Sequence, residues 1–308
     1  MQLEKDKISS TELIAVVTAF YLGISFVTTP GTGAENNAWL AVLLGFLEGL
    51  LFLLVLFAIV KKYPNKTLIE INDIVFGPLL GKLISILYLL FFLNVATLAM
   101  RIFAEYFAIS MTQTPLAVFL AGFILVPALA VHNGIEVISR TSLIIFPIII
   151  FAFLLDTIFL IPEINLSNLL PFMDIPLKDL ALAAHETNSI SIGESLVFLM
   201  ILVSLNKPRE ATSSILKAVL LAGIILLIIT IRNILVLGEL FTIVTYPSFS
   251  AIRLINIGEI FTRLEIIVNI TLLAIGFIKF NIFYYSTVVG TAQLLKMRTY
   301  LPLVLPVG

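Results

Sequence analysis

Residues 218–231 read AVLLAGIILLIITI, and only Gly223 and Thr230 interrupt the aliphatic side chains. A membrane strand alternates apolar and polar positions over about 10 residues, and this run does not. In hydrocarbon no water satisfies the backbone, so such a run must close its hydrogen bonds within itself as a helix. Working outward, the same composition recurs along the chain. A crossing of the ~30 Å hydrocarbon core takes about 20 apolar residues. Eight runs qualify, near residues 11–31, 37–60, 83–112, 115–132, 139–161, 179–205, 211–238 and 261–290, and a ninth opens near Tyr300. The chain is 60% hydrophobic and 12% charged, with a mean hydropathy of +1.14. A soluble domain needs about 25% charged residues to wet its surface, so lipid is the solvent for most of this chain. We therefore expect an all-α integral membrane protein with eight or nine transmembrane helices in one domain, residues 1–308. The ninth run stops at Gly308, so the chain is expected to be C-terminally truncated. The stretch Met1–Lys7 is mixed in charge, and no small-residue cleavage site closes the run after it, so that run reads as a retained helix.

Charge and residue types exclude several function classes. The formal net charge is −1, so no global field points to nucleic acid. The absence of cysteine removes disulfides, thiolate metal sites and cysteine nucleophiles. His132 and His185 lie too far apart to form a metal-ligand motif, so neither metal nor cofactor is expected. No GxSxG, HExxH, Walker or Rossmann pattern occurs in its required context, which argues against an enzyme. A channel would need a recognisable filter, and none is present. The basic residues are unevenly placed. Lys5, Lys7, Lys61, Lys62, Lys66, Lys82, Arg140, Lys207, Arg209, Lys217, Lys296 and Arg298 fall on one side of the expected spans, against Lys178, Arg253 and Arg263 on the other. By the positive-inside rule the N-terminus is cytoplasmic.

Two of the runs are interrupted. The first contains GISFVTTPG at residues 23–31, and the sixth contains SISIGESLV at residues 189–197. Glycine costs about 1 kcal/mol inside a helix, and hydroxyl side chains compete for backbone bonds. Both segments should loosen or break near mid-membrane. Each carries Gly-x-Ser-[Phe/Leu]-Val, at Gly23–Val27 and Gly193–Val197. They open two groups of spans, about 11–161 and about 179–308, the second incomplete. Groups of five start from opposite sides of the membrane, which is the pattern of an inverted repeat, and paired interrupted spans point to a mid-membrane ligand site. A broken helix presents unpaired N–H groups at one half and unpaired C=O groups at the other. The first attract a carboxylate and the second an ammonium, and a free amino acid carries both. The alternative is that Gly23 and Gly193 only allow close helix packing.

Around these breaks Tyr21, Ser25, Thr28, Thr29 and Ser195 offer hydroxyls, and Phe26 and Phe198 offer surfaces for a ligand side chain. An ionisable group at membrane depth is a site candidate by default. Glu194 is the foremost pocket carboxylate, able to hold a ligand ammonium or to pair with a buried Arg. Arg101 and Glu105, four apart on one helical face, either neutralise each other or line a cavity beside the breaks. Glu48 has no obvious local partner, and Asp156 lies near the outer end of its run. Arg232 and Lys279 are the basic counterparts, and His185 and Asn188 precede the sixth-run break at an outer entrance.

A further set of residues carries a family likeness. These are Asn37-Ala38-Trp39-Leu40 opening the second run, then Tyr63-Pro64-Asn65-Lys66-Thr67-Leu68-Ile69-Glu70 and Phe76-Gly77-Pro78-Leu79-Leu80-Gly81-Lys82 in the loop after it. They continue with Thr114-Pro115, His132-Asn133-Gly134-Ile135-Glu136 with Arg140, Leu170-Pro171-Phe172, and Gly193-Glu194-Ser195. In order and spacing the chain resembles the spore germination permease family, the B subunit of nutrient germinant receptors, within the amino acid–polyamine–organocation superfamily. The resemblance implies a LeuT-type 5+5 bundle with discontinuous first and sixth helices, and usually ten spans. It implies a pocket for a small nutrient, often an amino acid, and partnership with an A subunit and a lipoprotein C subunit in the inner membrane of a dormant spore. Sodium-dependent members of the superfamily hold a cation between the first and eighth spans, a place Lys279 would fill with its own ammonium. Two readings remain: a ligand-gated signalling subunit, or a secondary transporter of amino acids, proton-coupled through Glu194, Glu105 or Asp156. Sugars, inositol or a cation remain as other ligands.

Overall fold

A computed structural model describes residues 7–111, 113–255 and 265–308. Lys5, Arg263 and the first residues of the 261–290 run lie outside them. The structure is all-helical. Its elements are α1 (Ser10–Thr28), α2 (Ala38–Lys62), α3 (Leu68–Ser110), α4 (Leu116–His132), α5 (Ile135–Phe159), α6 (Leu177–Ile190), α7 (Ala211–Leu237), α8 (Pro247–Ile252), α9 (Glu265–Leu294) and α10 (Val304–Val307). Among the described residues, six helical stretches are long and apolar enough to cross a membrane, and α4 is a shorter apolar helix. The sixth expected span is present in two pieces, α6 and then a 3-10 stretch, Ile192–Met200.

Local chemistry sets several helix starts. Ser9 and Glu12 form a reciprocal cap at α1: the Ser9 side chain accepts from the Glu12 amide, and the Glu12 carboxylate accepts from the Ser9 amide at 2.6 Å. Thr67 and Glu70 form the same cap at α3. The third helix therefore begins at Leu68, well before the expected 83. The stretch Phe76–Lys82, read above as loop, lies within it. The helix bends sharply where Gly77 has φ 77° and Pro78 follows. The bend folds the first turns back, so that Asn72 donates to the Ser85 hydroxyl at 3.0 Å. Proline removes an amide and clashes with the preceding turn, and glycine alone tolerates the positive φ beside it.

Contacts sort the chain into two ends. At one end Ile8 pairs with the segment after the sixth crossing. Its amide donates to the Ser204 carbonyl and its carbonyl accepts from the Asn206 amide, both at 2.9 Å. Thr67 donates to Gln293 at 2.8 Å, and Tyr300 donates to the Val131 carbonyl at 3.3 Å. This end gathers Lys61, Lys66, Lys207, Arg209, Lys296 and Arg298. At the other end Asn37 accepts from the Met173 amide at 2.8 Å, Trp39 stacks on Phe172, and Asn168 donates to the Leu235 carbonyl at 2.9 Å. The centre of the bundle is α1 and α9, whose most apolar windows are 78% and 67% buried, against 28% for α5. Outward-facing leucines and phenylalanines on α2, α3 and α5, such as Leu51, Leu54, Leu79 and Phe151, suit a lipid exterior.

A close seam joins α2 to the sixth crossing. Gly45 and Gly49 form a GxxxG pair on α2. A Cβ at Gly45 would meet the Thr187 Cβ at 2.8 Å, and one at Gly49 would meet the Ile192 Cβ at 2.8 Å. Lipid does not drive helices together as water does, so close backbone approach supplies the packing energy here. Replacing Gly45 or Gly49 with valine forces α2 away from α6. We expect either variant to lose roughly 1–3 kcal/mol of stability in detergent, read as a lower midpoint of thermal unfolding. The same change at Gly122, where a Cβ meets nothing within 4 Å, should leave the midpoint in place.

Candidate functional site

The two helix breaks lie where the sequence places them and face each other. Within α1 the helical winding fails at Gly23 (φ 4°, ψ −120°). In the sixth crossing α6 ends at Ile190, and Ser191 turns out of helical geometry (φ −99°, ψ −81°) before the 3-10 stretch begins. Hydroxyls join the two breaks directly. Ser25 and Ser191 share a hydrogen bond at 2.9 Å, and Tyr21 and Ser195 share one at 2.8 Å. The Ser195 hydroxyl also donates to the Ile192 carbonyl.

A third helix completes the arrangement. Lys279 of α9 reaches between the breaks and sets its ammonium 2.6 Å from the Glu194 carboxylate. The same ammonium donates to the Ile190 carbonyl at 3.3 Å and sits 4.8 Å from the centre of the Phe20 ring. The carbonyl at Ile190 belongs to the last turn of α6, where helix geometry leaves acceptors without an internal partner. The side chains are 1% and 9% exposed for Lys279 and Glu194. A Cβ at Gly23 would collide with Cδ of Lys279, so the missing side chain at that glycine is the space the lysine stem occupies. Gly23 is thus needed both to break the helix and to let Lys279 pass. At Gly193 a Cβ would meet only the Asn188 carbonyl, its oxygen at 3.4 Å, so close approach does not require glycine there. Aromatic rings close the lower side: Phe20 lies 4.8 Å from Phe198 and 5.1 Å from Phe283, and Tyr21 lies 5.6 Å from Phe198.

The structure therefore brings together Tyr21, Gly23, Ser25, Glu194, Ser195, Phe198 and Lys279. Glu194, open in the sequence to a ligand ammonium or a buried arginine, pairs with Lys279. Phe26 is buried in the core, and Thr28 donates to its own helix, to the Ile24 carbonyl at 3.2 Å. Thr29 belongs to a separate polar cluster, where it accepts from Asn233 at 3.4 Å. In that cluster Arg232 donates to Asn233 at 3.0 Å and, at 3.4 Å, to both Ser248 and Thr157. Asp156 is buried nearby, and its Oδ2 has no hydrogen-bond partner among the described residues. Arg101 and Glu105 form an ion pair of 2.7 Å on the outside of α3, 71% and 41% exposed, away from the breaks. Glu48 pairs with His185 at 2.8 Å across the α2–α6 seam. Sequence reasoning missed Phe20, Phe283 and the role of Ser191. The two phenylalanines carry no signal among so many apolar neighbours, whereas Ser191 lies in the interrupted stretch itself.

Comparison with known proteins decides the family. The model of the family described as "Spore germination protein" matches residues 7–308. Spore germination protein KB of Bacillus subtilis (strain 168) is 30% identical over 311 residues, covering 99% of this chain and 83% of that protein. Spore germination protein YndE of the same organism is 24% identical over 302 residues, covering 95% and 82%. Spore germination protein B2, again from that organism, is 23% identical over 280 residues, covering 88% and 75%. The chain belongs to the spore germination protein family. In this spore germination protein the buried pair costs most when halved, because one charge is then left alone in a low-dielectric interior. Removing one member of a buried ion pair costs about 3–5 kcal/mol. We expect Lys279→Met alone and Glu194→Gln alone to lower the unfolding midpoint sharply. The double variant should lose clearly less than the sum of the two, and a sum that is simply additive would show that the pair does not couple.

Proposed function

We propose that this chain is the membrane subunit of a spore nutrient-germinant receptor, holding a small nutrient, for preference an amino acid, between its two helix breaks. The observation that carries the reading is the Lys279–Glu194 pair lodged at the junction of the breaks. A zwitterionic amino acid carries the same two charges. Its ammonium can take the place of the Lys279 ammonium at Glu194, and its carboxylate can pair with the lysine so released. The exchange leaves no buried charge unpaired, which is the condition for any ion to enter such a site at tolerable cost. It also requires Lys279 to leave the notch at Gly23, and so couples occupancy to the packing of α9 on α1. A ligand shifts a conformational equilibrium only by its differential affinity for the two states, and this exchange supplies one.

Within this reading the bundle is of the LeuT type. Repeats of about 11–161 and about 179–308 are related by inversion, and the N-terminus lies in the cytoplasm. The A subunit and the lipoprotein C subunit are the partners that receive the shape change, and the spore inner membrane is the location. Arg232 and Asp156 lie beyond Thr29 and form a second polar layer on the way to the breaks. A transporter is the second reading, favoured by the buried Asp156 carboxylate whose Oδ2 lacks a hydrogen-bond partner. That group is placed to carry a proton, whereas Glu105 is exposed and paired with Arg101.

Purified protein in liposomes separates the two. We expect at least one free amino acid to bind, with no counterflow of labelled ligand. A folded Gly23→Leu variant should lose that binding, because the new side chain fills the notch. Robust counterflow would favour the carrier, and binding unaffected by Gly23→Leu would remove the first break from the site.

A further inference from the structure

A second cavity lies at the basic end of the bundle, lined by none of the residues that meet at the helix breaks, and involves a motif the site above does not use. It encloses about 610 Å³, within the range of small-molecule pockets. Lys61 at the end of α2, Lys66 in the loop that follows, and Arg209 just ahead of α7 line it. Tyr63, Thr212 and Ser213 add polar groups to the same wall. The residues Tyr63-Pro64-Asn65-Lys66, noted in the sequence only as a family likeness, form one side of it. Leu199, Leu202 and Leu216 form an apolar side.

Three observations make this more than a stretch of basic membrane surface. Among the described residues that line the cavity, none is acidic. The nearby carboxylates are already engaged: Glu70 lies 3.6 Å from Lys66 and caps α3, and Glu210 lies 3.2 Å from Lys207 and accepts from Ser10. Among the described residues neither Lys61 nor Arg209 has a carboxylate within ion-pair distance. Finally, α7, of 27 residues, starts here without a side-chain cap. Glu210 stands at that N-terminus, but its carboxylate is engaged by Lys207 and Ser10, so the partial positive charge of the first turn adds to the cationic side chains.

We infer that this cavity is a binding site for a phosphate ester, with Lys61, Arg209 and the start of α7 holding the anion and Tyr63 and Thr212 donating to its oxygens. The leucine side extends the site for acyl chain or glycerol, as the headgroup of an anionic phospholipid requires. A soluble phosphate would use the polar side alone. Basic pockets between helices at a membrane face take such headgroups by the same chemistry. The site joins the end of α2, the far end of the sixth crossing at Leu199 and Leu202, and the start of α7. An occupant thus braces the lower half of the broken sixth span against two continuous helices.

The test uses the full chain in nanodiscs of phosphatidylcholine alone or with a fraction of phosphatidylglycerol, read by native mass spectrometry and by the midpoint of thermal unfolding. A parallel arm adds inorganic phosphate to the neutral discs. Retained phosphatidylglycerol and a raised midpoint, with no effect of phosphate, identify a lipid headgroup. Protection by phosphate in neutral discs identifies a soluble phosphate in the same site. Lys61→Gln with Arg209→Gln should weaken the response about tenfold or more, and Lys296→Gln with Arg298→Gln, at the same end but outside the cavity, should leave it unchanged. Ser213→Asp, which adds a negative charge to the wall, should abolish it. Indifference to both anions, or an unaltered response in the Lys61/Arg209 double variant, overturns the site.

Discussion

The bundle depends on how one buried lysine is accommodated. An ammonium in the centre of a membrane protein is tolerated only where opposite charge and backbone acceptors surround it. Lys279 obtains the charge from Glu194 and the acceptor from the frayed end of α6 at Ile190, and it reaches both through the gap left by Gly23. Each of these depends on a helix that does not continue. A regular α1 would need a side chain's room where the lysine stem runs. A regular sixth crossing would use the Ile190 carbonyl internally and leave the ammonium short of an acceptor. The two breaks and the lysine are therefore one structural unit, and the hydroxyl contacts of Tyr21 and Ser25 seal it.

The breaks were legible in the sequence because their cause is local. Glycine and serine weaken a helix wherever they stand, so GISFV and SIGES announce the loss of winding without any tertiary information. The long apolar runs were legible for the same reason. The partner of Glu194 was not, because helix rotation decides whether Lys279 points to lipid, to solvent or to the breaks, and rotation is set by packing. Glu48 and His185 illustrate the same gap: Glu48 shows no local partner in the sequence, and the α2–α6 seam brings His185 to within 2.8 Å of it. That seam itself had a readable cause in the small residues Gly45 and Gly49. The start of α3 was misjudged because its first turns carry polar residues, Asn72 and Asp73, and so fall outside an apolar run. The Thr67–Glu70 cap was the signal that marks the true start.

The second polar layer has a different character. Arg232 is buried, yet it relies on Asn233, Thr157 and Ser248, all neutral, and three of its four contacts exceed 3.2 Å. Asp156 stands close but forms no direct ion pair with it among the described residues. Compared with the compact contact at Lys279, this layer is loosely satisfied. Thr29, just past the end of α1, is one of its members, so the layer packs against that end of the helix.

α1 is thus tied to the second half of the chain at three depths. Ile8 pairs by backbone bonds with Ser204 and Asn206 at the basic end, Ser25 and Tyr21 bond across the breaks, and Thr29 joins Asn233 at the other end. Between these ties the helix is discontinuous at Gly23, which gives its two halves separate freedom. The lower half of α1 is bonded to the end of the sixth crossing, so it cannot tilt alone. It must carry the residues around Ser204 with it, and through them the segment that begins at the second break. A change at Lys279 acts on both broken helices at once, and the backbone pairing at Ile8 makes their lower halves respond as one body.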